Sequence, residues 1–136
     1  KVLDYSKIPF FIEADNQIDE KTLFELASII SDNVENSDYE KRKYIHLTAV
    51  FACNFVNHLF ARAKEISDSQ DLDFNYFLPL INETVEKIKH LEPKSAQTGP
   101  AVRGDERVLK LHEELIKNEE QLHIYKTLNE SIKKMY

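Results

Sequence analysis

Apolar positions change their period several times along the chain, and each change marks an element. Residues 8–14, Ile-Pro-Phe-Phe-Ile-Glu-Ala, form a short apolar run bounded by Asp15 and Asn16. Its length and aromatic content predict a strand, with Pro9 at its start or on an edge. Over residues 19–33, Leu23, Leu26, Ile29 and Ile30 recur at helical spacing, and Asp19 and Glu20 sit where the helix dipole favours acids. Val34-Glu35-Asn36 reads as a second, very short strand. Residues 38–67 read as one long helix, with Ser37 and Glu40 spaced as a capping box. Its middle, Leu47 to Phe60, is apolar almost all the way round, the pattern of a helix surrounded by protein.

The second half is also helical. Asp73 is placed to cap a helix through Phe74, Tyr76, Phe77, Leu80, Ile81, Val85 and Ile88, ending near Leu91. Pro79 inside that pattern either kinks the helix or marks a short first turn. Residues 92–104 read as a loop. Asp105 caps a helix carrying Val108, Leu111 and Leu115, and Asn118 caps a last one with Leu122, Tyr125, Ile132 and Met135 inward. The expected architecture is mainly α, with one long central helix over 38–67 behind a strand-helix-strand unit. Residues 1–36 cannot bury themselves alone and read as the tail of an α/β domain. Residues 37–136 form the helical domain.

Composition narrows the function. The chain has 136 residues, 42% hydrophobic and 31% charged, enough apolar content for a core. Net charge of -6 argues against a nucleic-acid surface. No run is long enough to span a membrane. Lys1-Val2-Leu3-Asp4 has no apolar signal region, and the missing initiator Met suggests a cut fragment. The single cysteine, Cys53, fits a reducing cytoplasm and reads as an inert core thiol. The only glycines are Gly99 and Gly104, so neither a P-loop nor G-x-G-x-x-G can be written. Any dinucleotide phosphate site therefore lies outside this chain. No spacing resembles a metal site.

Two groups of residues can carry chemistry. At about 100° per residue, His46, Asn57 and, at the margin, Asn54 share one face of the apolar helix, with His58 off it. Such groups need partners when buried. They either line a cleft that holds a reacting carbonyl, or pair with neighbouring helices or a symmetry mate. The second group is the stretch 92–105, dense in Ser, Thr, Gln and Arg and holding both glycines. Arg103 suits an anion, and Gln97 and Thr98 can orient a polar ligand. The plainer alternative is helix-to-helix punctuation, with Arg103 in a surface ion pair. His112 and His123 read as solvated. Lys41-Arg42-Lys43 is expected to pair with the acidic segment 1–36, which carries 8 acidic and 3 basic residues.

Two of these segments are familiar together: His46-Leu47-Thr48-Ala49-Val50-Phe51-Ala52-Cys53-Asn54-Phe55-Val56-Asn57-His58-Leu59 and Gln97-Thr98-Gly99-Pro100-Ala101-Val102-Arg103-Gly104-Asp105. Over residues 37–135 the chain closely resembles the C-terminal domain of a bacterial family, domain of unknown function 2520. In that family the domain follows a Rossmann-like, NADP-oxidoreductase-type domain, and residues 7–14 look like its last part. The resemblance implies a fold similar to the 6-phosphogluconate dehydrogenase C-terminal domain, whose long helix packs at a dimer interface and faces the nicotinamide cleft. By that likeness His46, Asn54 and Asn57 would face the cleft, and Thr98 and Arg103 would close it. The related hydroxyacid dehydrogenases place a catalytic Lys four residues before an Asn. Here Val50 stands four before Asn54, and Lys43 is followed by Leu47, so His46 is the substitute proton donor.

The expectation is the substrate and dimerisation domain of an oxidoreductase. NADP or NAD would be bound mainly by the other domain, and the substrate would be a small polar carbonyl, imine or alcohol. His46, Asn54 and Asn57 would be catalytic, and Gln97, Thr98 and Arg103 would bind substrate. The expected partner is a second copy through the long helix, in the cytoplasm, without nucleic acid or membrane. The rival is a non-catalytic helical dimerisation or binding module.

Overall fold

The computed structural model describes residues 4–136; the Lys1-Val2-Leu3 start considered for a signal region lies outside them. Strand β1 (Phe10–Ile12) and strand β2 (Val34–Asn36) pair in parallel and are joined by helix α1 (Gln17–Ile30). Asn16 starts α1 by accepting from the Ile18 and Asp19 amides, so the helix begins earlier than its apolar spacing implies. Ser31, only 3% exposed, ties the far end. Its hydroxyl donates to the Ile8 carbonyl at 2.6 Å and accepts from the Asn33 amide at 3.0 Å.

The long helix is present, but it is not one uniform α-helix. Helix α2 (Tyr39–Ala49) runs into a π-helical segment, Val50–Phe55, and then into helix α3 (Val56–Asp68). The backbone stays helical through Val50 and Val56, so the segment widens the helix without breaking it. The helix cap is Asp38, whose carboxylate accepts from the Lys41 amide at 2.7 Å. Ser37 does not cap. Its amide donates to the Ile12 carbonyl at 2.9 Å, which commits it to the strand ladder. Of the basic cluster, Arg42 meets the acidic segment as expected, pairing with Glu13 at 2.5 Å and donating to the Ser37 carbonyl at 2.6 Å.

In the second half, a 3-10 turn (Phe74–Phe77) leads into helix α4 (Leu78–Lys87), with Pro79 in its first turn. Pro79 therefore starts the α-helix and does not kink it, since its missing N–H costs nothing there. Asp73 caps the 3-10 turn through the Asn75 amide at 2.9 Å. Helix α4 stops before Leu91, and the predicted loop contains two single-turn helices, α5 (Pro93–Ala96) and α6 (Pro100–Arg103). Pro93 and Pro100 each preset the first-turn backbone.

Helices α7 (Glu106–Leu115) and α8 (Glu119–Met135) follow, capped by Asp105 and Asn118 as the sequence indicates. They are joined side by side by Lys133–Glu106 at 2.6 Å and Lys126–Glu113 at 3.1 Å. His112 is not simply solvated: its Nδ1 lies 2.9 Å from the Tyr125 hydroxyl, and the rings meet edge to face. Leu109, 3% exposed, and Ala101, 6% exposed, form the buried centre. Met135 stays 56% exposed, because it lies in the last turn of α8, next to the end of the chain.

The chain divides into two compact units, one ending at Phe60 and the other running from Ala61 to Tyr136. Each leaves much apolar surface open. The accessible area is 11219 Å². Two separate compact domains of these sizes would expose about 8900 Å². The excess includes the middle of the long helix. Leu47 is 51% exposed, Phe51 63% and Phe55 50%. Within this chain that helix is not enclosed, and Cys53 is an exposed thiol where a core one was expected. The physical reason is the same for both: none of the described residues of the first unit packs over this stretch. No helix among the described residues is long and apolar enough to cross a membrane.

Candidate functional site

His46 lies in the last turns of α2, Asn54 inside the π segment and Asn57 at the start of α3. All three side chains are exposed. The π segment changes which of them share a face. An i→i+5 turn holds about one residue more than an α turn, so each residue advances only ~80° there. Starting from His46, Asn54 then returns to nearly the same direction, while Asn57 falls ~100° away and His58 comes round to the His46 side. With one uniform period, spacing groups His46 with Asn57 and, at the margin, Asn54. The sequence signal for the π turn is faint: Val50-Phe51-Ala52-Cys53-Asn54-Phe55 contains neither Gly nor Pro.

Gln97, Thr98 and Arg103 all belong to the second unit. Gln97 and Thr98 line one cleft of about 240 Å³ together with Thr84, Lys87 and Ile88. The Gln97 amide donates to the Thr98 carbonyl at 2.9 Å, which holds the turn. Arg103 ends α6 and does not line that cleft. The cation that does is Lys87, in the last turn of α4, whose ammonium stands 3.8 Å from Glu83. Sequence reasoning passed over it because a lysine in a helix's last turn is ordinarily explained by the dipole. A larger cleft, of about 580 Å³, is lined by Glu65, Ile66, Leu115, Ile116 and Gln121 among others and contains none of the candidates.

Arg62 beside that larger cleft is a structural cation. Hydrogen bonds that its guanidinium donates to Glu65 and then Glu120 hold its pKa above the ordinary arginine value. It pairs with Glu120 at 2.6 Å and Glu65 at 3.1 Å, and Gln121 donates to Glu65 at 2.8 Å. This network ties α3 to α8 within the second unit.

Both glycines flank α6. Gly104 ends α6 in the left-handed region at φ 65°, where its amide closes back on Ala101 and Pro100. Gly99 precedes α6 at φ 117°. A Cβ at either position would meet nothing within 4 Å. Both glycines hold backbone conformations with positive φ that L side chains rarely adopt.

The profile of the domain of unknown function family DUF2520 matches residues 8–132. The chain belongs to that family. Its fold is shared by a Bacteroides fragilis protein described as "putative NADP oxidoreductase BF3122", with 44% sequence identity and a TM-score of 0.95. The match covers 98% of this chain and 52% of that one. Protein TM1727 from Thermotoga maritima is similar at 27% identity and a TM-score of 0.68, over 84% of this chain and 47% of that one. The DUF2520 chain thus spans about half the length of these relatives. No match was found among curated proteins. The mainly α fold with its short parallel strand pair is therefore the fold of this family.

Proposed function

We propose that this DUF2520 chain is the substrate and dimerisation domain of an NADP-dependent oxidoreductase, with NAD the alternative cofactor. The observation that carries the reading is the 44% identity, over nearly the whole chain, to the relative described as an NADP oxidoreductase. Residues 1–36 would complete a Rossmann-like domain, and residues 37–136 would form a domain like that of 6-phosphogluconate dehydrogenase. The dinucleotide, bound mainly by the other domain, would exchange a hydride with a small polar carbonyl, imine or alcohol.

This chain's own residues then have definite tasks. His46 would act as the general acid that gives a proton to the substrate oxygen or nitrogen, and as the general base in the reverse direction. Asn54 and Asn57 hydrogen-bond the reacting group; the π turn favours Asn54 as the closer companion of His46. Gln97 and Thr98 orient the polar substrate, and Arg103 holds its anionic part. In the longer polypeptide, NADPH titration followed by turnover assays of His46→Ala tests the reading. Binding of NADPH with turnover lost in the variant, and its fold retained, supports it. Unchanged turnover removes His46 from the mechanism.

A second copy of the chain is the partner for the long helix. The exposed Leu47, Phe51 and Phe55 support this, as does the roughly 2300 Å² of excess surface, the scale of an obligate interface. The same surface favours a second reading, a helical dimerisation module without catalysis. NADPH binding and turnover by the longer polypeptide separate the two. A cytoplasmic location is part of this reading, supported by the single cysteine.

A further inference from the structure

One cleft of the second unit differs from the other described clefts in its charge. The chain carries 24 acidic residues against 18 basic ones, and acids line the others. Glu65 stands with Lys117 in the cleft of about 580 Å³. Glu20 and Glu25 stand with Lys21 in a second, and Glu13, Asp15 and Asp19 line a third. The cleft of about 240 Å³, lined by the end of α4 and by α5, has no acid in its wall, and Lys87 is its single charged group.

The neighbouring cations are committed elsewhere. Lys89 pairs with Glu86 at 2.6 Å, Lys94 lies 5.9 Å from the centre of the Tyr136 ring, and Arg103 does not line the cleft. Among the described residues the partner of Lys87 is Glu83 at 3.8 Å, too far for a hydrogen bond. Exposed pairs four residues apart hold weakly, so the three ammonium N–H groups remain open to a ligand. The rest of the wall is of two kinds. Ile88, Pro93 and Ala96 are apolar, while Thr84 and Thr98 bring hydroxyls and Gln97 an amide. The Thr84 hydroxyl donates to the Leu80 carbonyl at 2.9 Å. The Thr98 hydroxyl makes no hydrogen bond among the described residues. Backbone bonds fix both walls: the His90 and Leu91 amides close on the Lys87 carbonyl at 3.1 and 2.9 Å, and the Ser95 and Ala96 amides return to the Glu92 carbonyl.

We propose that this cleft binds a small monocarboxylate, whose anion meets the Lys87 ammonium and the Thr98 hydroxyl and whose short apolar part rests on Ile88, Pro93 and Ala96. This rests on the reading of Gln97 and Thr98 as ligand-binding residues, and adds the cation that completes them and the class of ligand. The helix end selects the charge. The C-terminus of α4 carries roughly half a negative charge. One ammonium outweighs that for a monoanion, whereas a phosphate dianion is opposed. The volume selects the size: about 240 Å³ lies below the roughly 300 Å³ at which drug-sized sites begin.

Isobutyrate is the probe, titrated into the longer polypeptide at fixed ionic strength and followed by backbone amide shifts in NMR, with NADPH titrated into a parallel sample. Saturable shifts at the amides of Ala96, Gln97, Thr98 and Gly99, with a Kd of about 1 mM, are expected. Lys87→Met keeps the stem and removes the charge, and should weaken binding at least about tenfold. Lys87→Arg should retain most of it. The neutral isobutyramide should bind at least about tenfold more weakly than isobutyrate, and Glu83→Gln should bind isobutyrate more tightly. No saturable shift, equal affinity for isobutyrate and isobutyramide, or an unchanged Kd in Lys87→Met each overturns the proposal. Inorganic phosphate binding more tightly than isobutyrate overturns the carboxylate assignment. NADPH binding without isobutyrate binding sinks the cleft alone; isobutyrate binding without NADPH binding sinks the oxidoreductase reading alone.

Discussion

Replacing Phe51 tests whether the long helix is an interface between copies. Phe51 is 63% exposed in this chain and stacks edge to face on Phe55 at 5.0 Å. A phenylalanine side chain offers roughly 200 Å². Covering its exposed part in a dimer removes about 125 Å² from water, worth about 3 kcal/mol per copy at 25 cal/mol per Å². A two-fold interface contains the residue twice, so the ceiling for Phe51→Ala is about 6 kcal/mol per dimer. Area converts poorly into affinity, and half that ceiling is the working figure. A loss of about 3 kcal/mol raises the dimer Kd roughly 150-fold. Sedimentation velocity across a dilution series reads this directly, with Lys89→Ala, a variant in the α4–α5 connection, as the control. Circular dichroism confirms that the variant keeps its helices. An unchanged dissociation curve for Phe51→Ala, or a wild-type chain that is monomeric throughout, refutes the helix as the interface.

Other outcomes follow from individual contacts. Asp105→Ala removes the carboxylate that accepts from the Val108 amide at 3.2 Å, and should cost about 1 kcal/mol, seen as a Tm lowered by about 4 °C. Gly104→Ala should cost about 1 kcal/mol from its left-handed backbone alone, since a Cβ there meets nothing within 4 Å. Gly104→Asn should cost less, and neither should change NADPH affinity in the longer polypeptide; denaturant melts and titration check both. Tyr125→Phe leaves the ring against His112 but removes the hydroxyl 2.9 Å from its Nδ1. A loss of about 1 kcal/mol and a shifted His112 nitrogen resonance in NMR are expected.

Much of this protein is legible in its residues because the signals are local. The β2 strand, the Asp105 and Asn118 caps and the helical second half depend on side chains within a few positions of the backbone groups they satisfy. Pairing of Arg42 with Glu13 could be read from charge blocks alone. The long helix was legible as a helix apolar almost all round, and within this chain its Leu47, Phe51 and Phe55 stay exposed.

Tertiary structure decided what local rules leave degenerate. Ser37 and Asp38 are both acceptable caps by type, and the choice fell to Asp38 because β1 claims the Ser37 amide. The π turn at Val50–Phe55 has no composition of its own, yet it changes the helical period between His46 and Asn57. Lys87 became a cleft residue only when α5 carried Gln97 and Thr98 beside the end of α4. Chain spacing determines which residues lie on one turn of a regular helix. Where the period changes, or where the groups come from separate elements, only the packed backbone determines which of them face one another.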